Sequence, residues 1–309
     1  MSLRLTGLTA AAHTPFLDDG SLHLAAIDRA AEHFLSVGVE RVFICGTTGE
    51  SHSLTVAERQ AIAERWLTVA RGTKLQVVVH VGSNCLADSA ELARHAQRQG
   101  ALAIAAVAPS YFKPPHIPAL IACLRQISSA APDLPFYAYD IPVMTGLSLS
   151  MAELLEQGQA DLPRLNGLKF TNPDQKTFQF CLQYQGGRYD ILWGLDEALL
   201  GALALGATGA IGSSYNFAAP IYLRMWRAFR EHDLPLARQE QFRAARVIAA
   251  LVQAGYLPAT KQVMCWLGIP VGPPRLPLVA LTTAQASTLR KQLDEMEFWS
   301  WIDQEPVGE

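Results

Sequence analysis

The chain has 309 residues, half of them hydrophobic and 17 % charged, with a formal net charge of −3. This composition supports a large core and excludes wholesale disorder, and the lack of a basic surplus argues against nucleic acid or an anionic membrane surface as a partner. The apolar runs are strand-length, short of the roughly 20 residues a spanning helix needs, and the opening Met-Ser-Leu-Arg-Leu-Thr-Gly carries no signal-peptide core, so the expectation is a cytoplasmic protein without a membrane partner.

Eight short apolar runs recur along the chain, at 7–14, 41–46, 76–82, 101–109, 135–142, 166–171, 189–194 and 209–214. Continuous apolarity, rather than alternation, is what strands need when both faces are covered, as in a parallel sheet. Amphipathic stretches separate the runs. In 22–37, Leu24, Ile27, Ala31, Phe34 and Leu35 recur at helical spacing, with Asp28, Arg29 and Glu32 on another side. The stretch 55–70 opens on Thr55 and Glu58, a capping-box pattern, and 89–99 and 153–157 are similar in kind. Eight such pairs predict an α/β fold, a (β/α)₈ TIM barrel, rather than an open dinucleotide-binding sheet; GxGxxG after the first strand and GxxxxGK[ST] are both missing.

From about residue 220 the pattern changes to helical stretches at 220–231, 234–255 and 280–297, with a Pro/Gly-rich segment over 268–278. The predicted organisation is a barrel carrying the active site over 1–225 and a C-terminal helical extension over 226–309. The five cysteines are far apart and form no CxxC pair, which predicts buried free thiols. His13, His52 and His80 lie near strands without HxH or HExxH spacing, so no metal is expected.

Barrel chemistry stands at the C-terminal ends of the strands and in the loops that follow. After the second run come Gly46-Thr47-Thr48-Gly49-Glu50-Ser51. Hydroxyls and exposed N–H groups between two glycines suit a small carboxylate, or simply a capped turn at a strand end. The sixth run holds Lys169. The chain has six lysines, and the other five, Lys74, Lys113, Lys176, Lys261 and Lys291, fall in loops or on polar helix faces, whereas Lys169 is set inside an apolar strand. Desolvation favours the neutral amine, a nucleophile for a carbonyl carbon; snorkelling to the barrel mouth or pairing with a core carboxylate is the other reading. Tyr139, ending the fifth run, is placed to relay a proton or to pack in the core. After the seventh and eighth runs come Gly194-Leu195-Asp196-Glu197 and Ser213-Ser214-Tyr215-Asn216, a set able either to hold several hydroxyls or to cap the next helices.

Taken together and in this order, GTTGES, YDIP, GLKFT, GLDE and IGSSYN resemble the pyruvate-dependent class I aldolases of the dihydrodipicolinate synthase / N-acetylneuraminate lyase family, over nearly the whole chain. The resemblance implies Lys169 as the imine-forming lysine, Tyr139 as the proton relay, and Thr47 and Thr48 as holders of the pyruvate carboxylate. It assigns the sugar end to Gly194, Asp196, Glu197 and Ser213. It also implies that Tyr111 contacts a neighbouring subunit's site, that the assembly is a homotetramer, and that no cofactor is needed beyond the substrate imine. Synthases of the family carry an arginine five residues after the motif tyrosine; Met144 stands there, which favours the sialic-acid-cleaving branch. Dihydrodipicolinate synthesis and cleavage of a 2-keto-3-deoxy sugar acid are the alternatives with the same imine step, and a silent binding barrel is a third. Asp140 departs from the family's usual Asn.

Overall fold

The structure, a computed structural model, describes residues 3–303. Its centre is a closed parallel barrel of β1 (Gly7–Ala11), β2 (Arg41–Ile44), β3 (Gln76–His80), β4 (Ala103–Val107), β5 (Phe136–Asp140), β6 (Leu165–Phe170), β7 (Asp190–Trp193) and β8 (Gly209–Gly212), paired in chain order with β8 returning to β1. Each of the eight apolar runs holds one strand, β6 alone starting one residue ahead of its run. The period of two along each strand divides the core. Phe43, Val78, Ala105, Tyr137, Tyr139, Leu192 and Ile211 fill the barrel interior, while their neighbours Ile44, Val79, Ile104, Leu168, Phe170 and Trp193 pack outward against helices.

Helices follow the strands, and several start where the sequence supplies a cap. Thr55 and Glu58 form the capping box of the helix Val56–Ala70. After β8, the helix Tyr215–Arg230 contains Pro220 and bends at Ala218. Proline has no N–H, so the carbonyl of Asn216 is released from the helical ladder; it accepts instead from His33 Nε2 at 2.8 Å. Residue 225 falls inside this helix. Beyond it lie the helices Leu234–Gln253, Tyr256–Trp266, Thr283–Glu295 and Phe298–Ile302. The helix Tyr256–Trp266 was not expected. Gly255, at φ 90°, breaks the long stretch, and Pro258 sits in the first turn of the next helix, where its missing N–H costs nothing. Among the described residues no helix is long and apolar enough to cross a membrane.

Candidate active site

Register places the reactive side chains. Tyr139 on β5 pairs with Lys169 on β6, and Lys169 with Leu192 on β7, so the tyrosine and the lysine project side by side into the C-terminal mouth. Lys169 is 4 % exposed. Its Nζ lies 4.1 Å from the Tyr139 ring centroid and 4.3 Å from that of Phe43. Among the described residues no carboxylate pairs with this amine, so the reading in which a core acid neutralises it does not apply.

Tyr139 is fixed on several sides. Its hydroxyl lies 3.2 Å from Thr47 Oγ1, and its ring is met edge-on by Phe43 and His80, each at 5.9 Å between centroids. His80 is itself locked: Nδ1 donates to the Cys45 carbonyl at 2.8 Å, and Nε2 accepts the Val107 N–H at 3.2 Å. Burial, and after it the Arg59 guanidinium, holds this imidazole well below its usual pKa, hence neutral. The Cys45 backbone is left-handed, at φ 55°. Thr47 and Thr48 are half-buried in the turn that follows. Among the described residues no acceptor engages their N–H groups, so the turn offers free donors beside the lysine, a fit for a carboxylate.

Residues after β7 and β8 form the opposite wall. Asp196 is buried, and its Oδ2 accepts from Ser214 N at 2.8 Å and Ser214 Oγ at 2.5 Å. Its Oδ1 has no hydrogen-bond partner among the described residues. Burial pushes this carboxyl up to about 6. A Cβ on Gly212 would stand 1.8 Å from Asp196 Oδ1, so only glycine admits the carboxylate there. At Gly194 a Cβ would stand 2.0 Å from Thr171 Oγ1; Gly194 therefore lets the two strand ends close together. Glu197 is exposed. Ser213 Oγ lies 2.7 Å from the hydroxyl of Tyr256. The capping reading does not hold, since the helix Tyr215–Arg230 starts without a side-chain cap; Asp196 instead ties down Ser214 through Oδ2, with Oδ1 set against Gly212.

Several contributors were missed from sequence. Tyr256 and Gln241 come from the C-terminal helices; Gln241 Nε2 donates to the Glu197 carbonyl at 2.9 Å and the Asp196 carbonyl at 3.4 Å. Thr171, two residues after Lys169, has a buried hydroxyl without a partner among the described residues. Lys261 corrects an expectation: it is buried and ion-paired with Glu50 rather than set on a polar helix face. The cysteines are all free, yet Cys85 and Cys265 are exposed rather than buried. Tyr111 stands at the surface, 79 % exposed and edge-on to Phe112, and Met144 is exposed on the short helix Pro142–Thr145. Among the described residues no three His, Cys, Asp or Glu side chains gather as metal ligands.

Known proteins match this arrangement over nearly its whole length. A model of the dihydrodipicolinate synthetase family covers residues 4–296. The N-acetylneuraminate lyase of Mus musculus is 42 % identical over 99 % of this chain and 98 % of the mouse protein, and that of Homo sapiens is 39 % identical over 97 % and 95 %. The solved N-acetylneuraminate lyase of Proteus mirabilis superposes with a TM-score of 0.93 at 39 % identity, covering 96 % of this chain and all of that one. The barrel, the lysine at its mouth and these full-length similarities identify the chain as a member of the dihydrodipicolinate synthetase family.

Proposed function

We propose that the protein is a carbon–carbon lyase that cleaves N-acetylneuraminate to N-acetylmannosamine and pyruvate through an imine on Lys169. The observation that carries this reading is the buried Lys169 amine, unpaired by any carboxylate, against the ring of Tyr139, whose hydroxyl is tied to the carboxylate-sized turn at Thr47. The full-length similarity to N-acetylneuraminate lyases supports the choice of substrate.

In this mechanism the Lys169 amine adds to the C2 ketone of the open-chain acid and water leaves, giving a protonated imine. Thr47, Thr48 and their N–H groups hold the substrate carboxylate. Tyr139, having given its own proton to the departing water, takes the proton of the C4 hydroxyl by way of that carboxylate and later returns it at C3. The C3–C4 bond breaks, its electrons neutralise the imine as an enamine, and N-acetylmannosamine departs. Protonation at C3 and hydrolysis release pyruvate and restore the amine. The imine is the electron sink, so no separate cofactor or metal enters the scheme. Asp196, Glu197 and Ser213 hold the polyol, which an apolar pocket does not select.

The same reading includes a cytoplasmic homotetramer. Five free thiols suit a reducing compartment, and the exposed Tyr111–Phe112 pair, with exposed Val143 and Met144, suits burial against a second copy. The test is to incubate the protein with N-acetylneuraminate, measure both products, and trap pyruvate with borohydride. Release of both products and an adduct at Lys169 are expected; faster turnover of aspartate semialdehyde, or an adduct on another lysine, overturns the reading.

A further inference from the structure

Lys261 is as deeply buried as Lys169, yet its surroundings are the opposite. From the helix Tyr256–Trp266 its Nζ lies 2.7 Å from Glu50 Oε1, and both side chains are 1 % exposed. The same Nζ donates to the Pro273 carbonyl at 3.0 Å and stands 4.4 Å from the Phe16 ring centroid. The other carboxylate oxygen of Glu50 accepts the Arg275 N–H at 2.8 Å. One side chain thus bridges a helix and the loop that follows it. A buried ion pair is by itself a poor source of stability, because desolvation offsets attraction. What the pair holds in place is therefore the more informative property.

Glu50 closes the turn that carries Thr47. Its backbone is left-handed, at φ 56°, a region that a glutamate occupies only where its surroundings impose it. Its N–H donates to the Thr47 carbonyl at 3.0 Å, and Ser51 N–H to the Gly46 carbonyl at 3.2 Å. Thr14 Oγ1 fixes the Gly49 carbonyl at 2.7 Å. At the far end of the turn, Thr47 Oγ1 meets the Tyr139 hydroxyl. A continuous line of contacts therefore runs from the C-terminal extension to the phenol at the lysine.

We infer that Glu50 and Lys261 are positioning residues for the reaction: through this pair the C-terminal extension sets the turn that holds Thr47 against Tyr139 and presents its free N–H groups to the substrate carboxylate. Neither residue touches the reacting atoms. The inference rests on the function proposed above, in which that turn receives pyruvate.

The test compares Lys261→Met with the double variant Glu50→Gln/Lys261→Met, measuring melting temperature, the pyruvate dependence of borohydride trapping, and the NMR signal of ring-labelled Tyr139. The single variant leaves a buried carboxylate unpaired and melts lower. The double variant removes both charges and recovers most of the lost stability, so it remains available if the single variant fails to fold. Its pyruvate half-saturation is expected to stay raised by roughly tenfold or more, the scale at which misplacement of binding groups is felt, and its Tyr139 signal to stay displaced without ligand. A purely structural pair predicts that stability and trapping recover together. A double variant with wild-type pyruvate dependence and an unmoved Tyr139 signal overturns the inference. A wild-type protein that traps no pyruvate overturns the proposed function instead, and the Tyr139 signal then decides on the pair.

Discussion

The strand β5 carries two inward tyrosines two residues apart, and they belong to different ends of the barrel. Tyr137, toward the N-terminal end, donates to Asp190 Oδ2 at 2.8 Å and accepts from Asn166 Nδ2 at 2.7 Å. Asp190 Oδ2 also accepts the Leu5 N–H at 2.9 Å, and Asn166 bonds both the N–H and the carbonyl of Leu3. The N-terminal segment thus stoppers the barrel, its Leu3 and Leu5 tied to β6 and β7 while Tyr137 links β5 to both. Tyr139, toward the C-terminal end, has a single side-chain hydrogen bond, and around it lie an amine without a carboxylate and, on Asp196 and Thr171, buried oxygens without partners. Burial is equally deep at both ends. The N-terminal end engages most of its polar groups with one another, with Asp190 Oδ1 left facing Arg4 Nη1 at 3.9 Å, and so contributes stability; the C-terminal end keeps its amine and hydroxyls available, as the proposed reaction requires.

The largest expected effect breaks the open end. Lys169→Met removes the amine and retains an apolar stem, so turnover and borohydride trapping fall by at least about a thousandfold, the scale of losing a covalent catalyst. The melting temperature stays level or rises, because the side chain gives up no ion pair. A large fall in melting temperature without loss of trapping would assign Lys169 to the core.

The two tyrosines give the sharpest contrast. Tyr139→Phe lowers the cleavage rate by about 10²–10⁴-fold, as expected for a proton relay, with little change in stability. Tyr137→Phe removes one hydrogen-bond partner each from buried Asp190 and half-buried Asn166 and costs roughly 1–3 kcal/mol of stability, while the rate per folded molecule holds. Steady-state kinetics beside denaturant titration of both variants reads the two effects separately. Equal kinetic losses would erase the distinction between the ends.

How much of this was legible in the sequence follows the same division. The strands were readable because a parallel barrel buries both faces and writes continuous apolar runs. Lys169 was readable because a charge inside such a run stands out. Lys261 was not: Ala259-Thr260-Lys261-Gln262 reads as an ordinary polar helix turn, and its burial comes from Glu50, on a distant loop. Tyr256 and Gln241 were hidden for the same reason, since their roles exist only once the C-terminal helices pack behind the mouth. His80 drew notice as a histidine near a strand, but its partners are backbone groups of Cys45 and Val107, which no side-chain pattern records. Asp196 was ambiguous between capping and binding; the structure shows no side-chain cap there, only a bond from Asp196 to Ser214.

That ambiguity sets a smaller effect. Asp196→Asn and Ser213→Ala each alter a group that the proposed function assigns to the polyol and are expected to raise KM for N-acetylneuraminate by about tenfold, corresponding to roughly 1–3 kcal/mol per unpaired hydrogen bond. Pyruvate trapping is expected to hold in both, because pyruvate has no polyol. If trapping falls in step with cleavage, holding Ser214 is the larger part of what Asp196 does.

The smallest effect on catalysis, with a distinct signature in stability, lies just behind the open end at Asp140. This residue follows Tyr139 but points outward, where it is buried and accepts one bond, from Asn172 Nδ2 at 2.9 Å. Burial raises its carboxyl from 3.8 to about 6, against the opposing pull of that bond. The neighbouring Cys181 thiol, pushed up to about 12 chiefly by burial and then by Asp140, is neutral throughout this range. The folded state holds the Asp140 proton more tightly than the unfolded chain does. Its contribution to stability is therefore complete below about pH 4 and is lost as pH rises through about 6. At about 1.4 kcal/mol per pKa unit, the loss is on the order of 2–3 kcal/mol. Asp140→Asn supplies a neutral side chain that still accepts from Asn172. Relative to the parent it is expected to gain stability at pH 8 and little at pH 4, with the gap opening between those values and cleavage within about twofold. Asp190 and Asp196 are raised by burial as well, so both proteins keep a residual slope, and the difference between their stability curves isolates Asp140. A gap that does not change with pH would mean that this carboxyl ionises in the folded protein as it does in the unfolded chain, and that the wall behind Tyr139 is wetter than its packing implies.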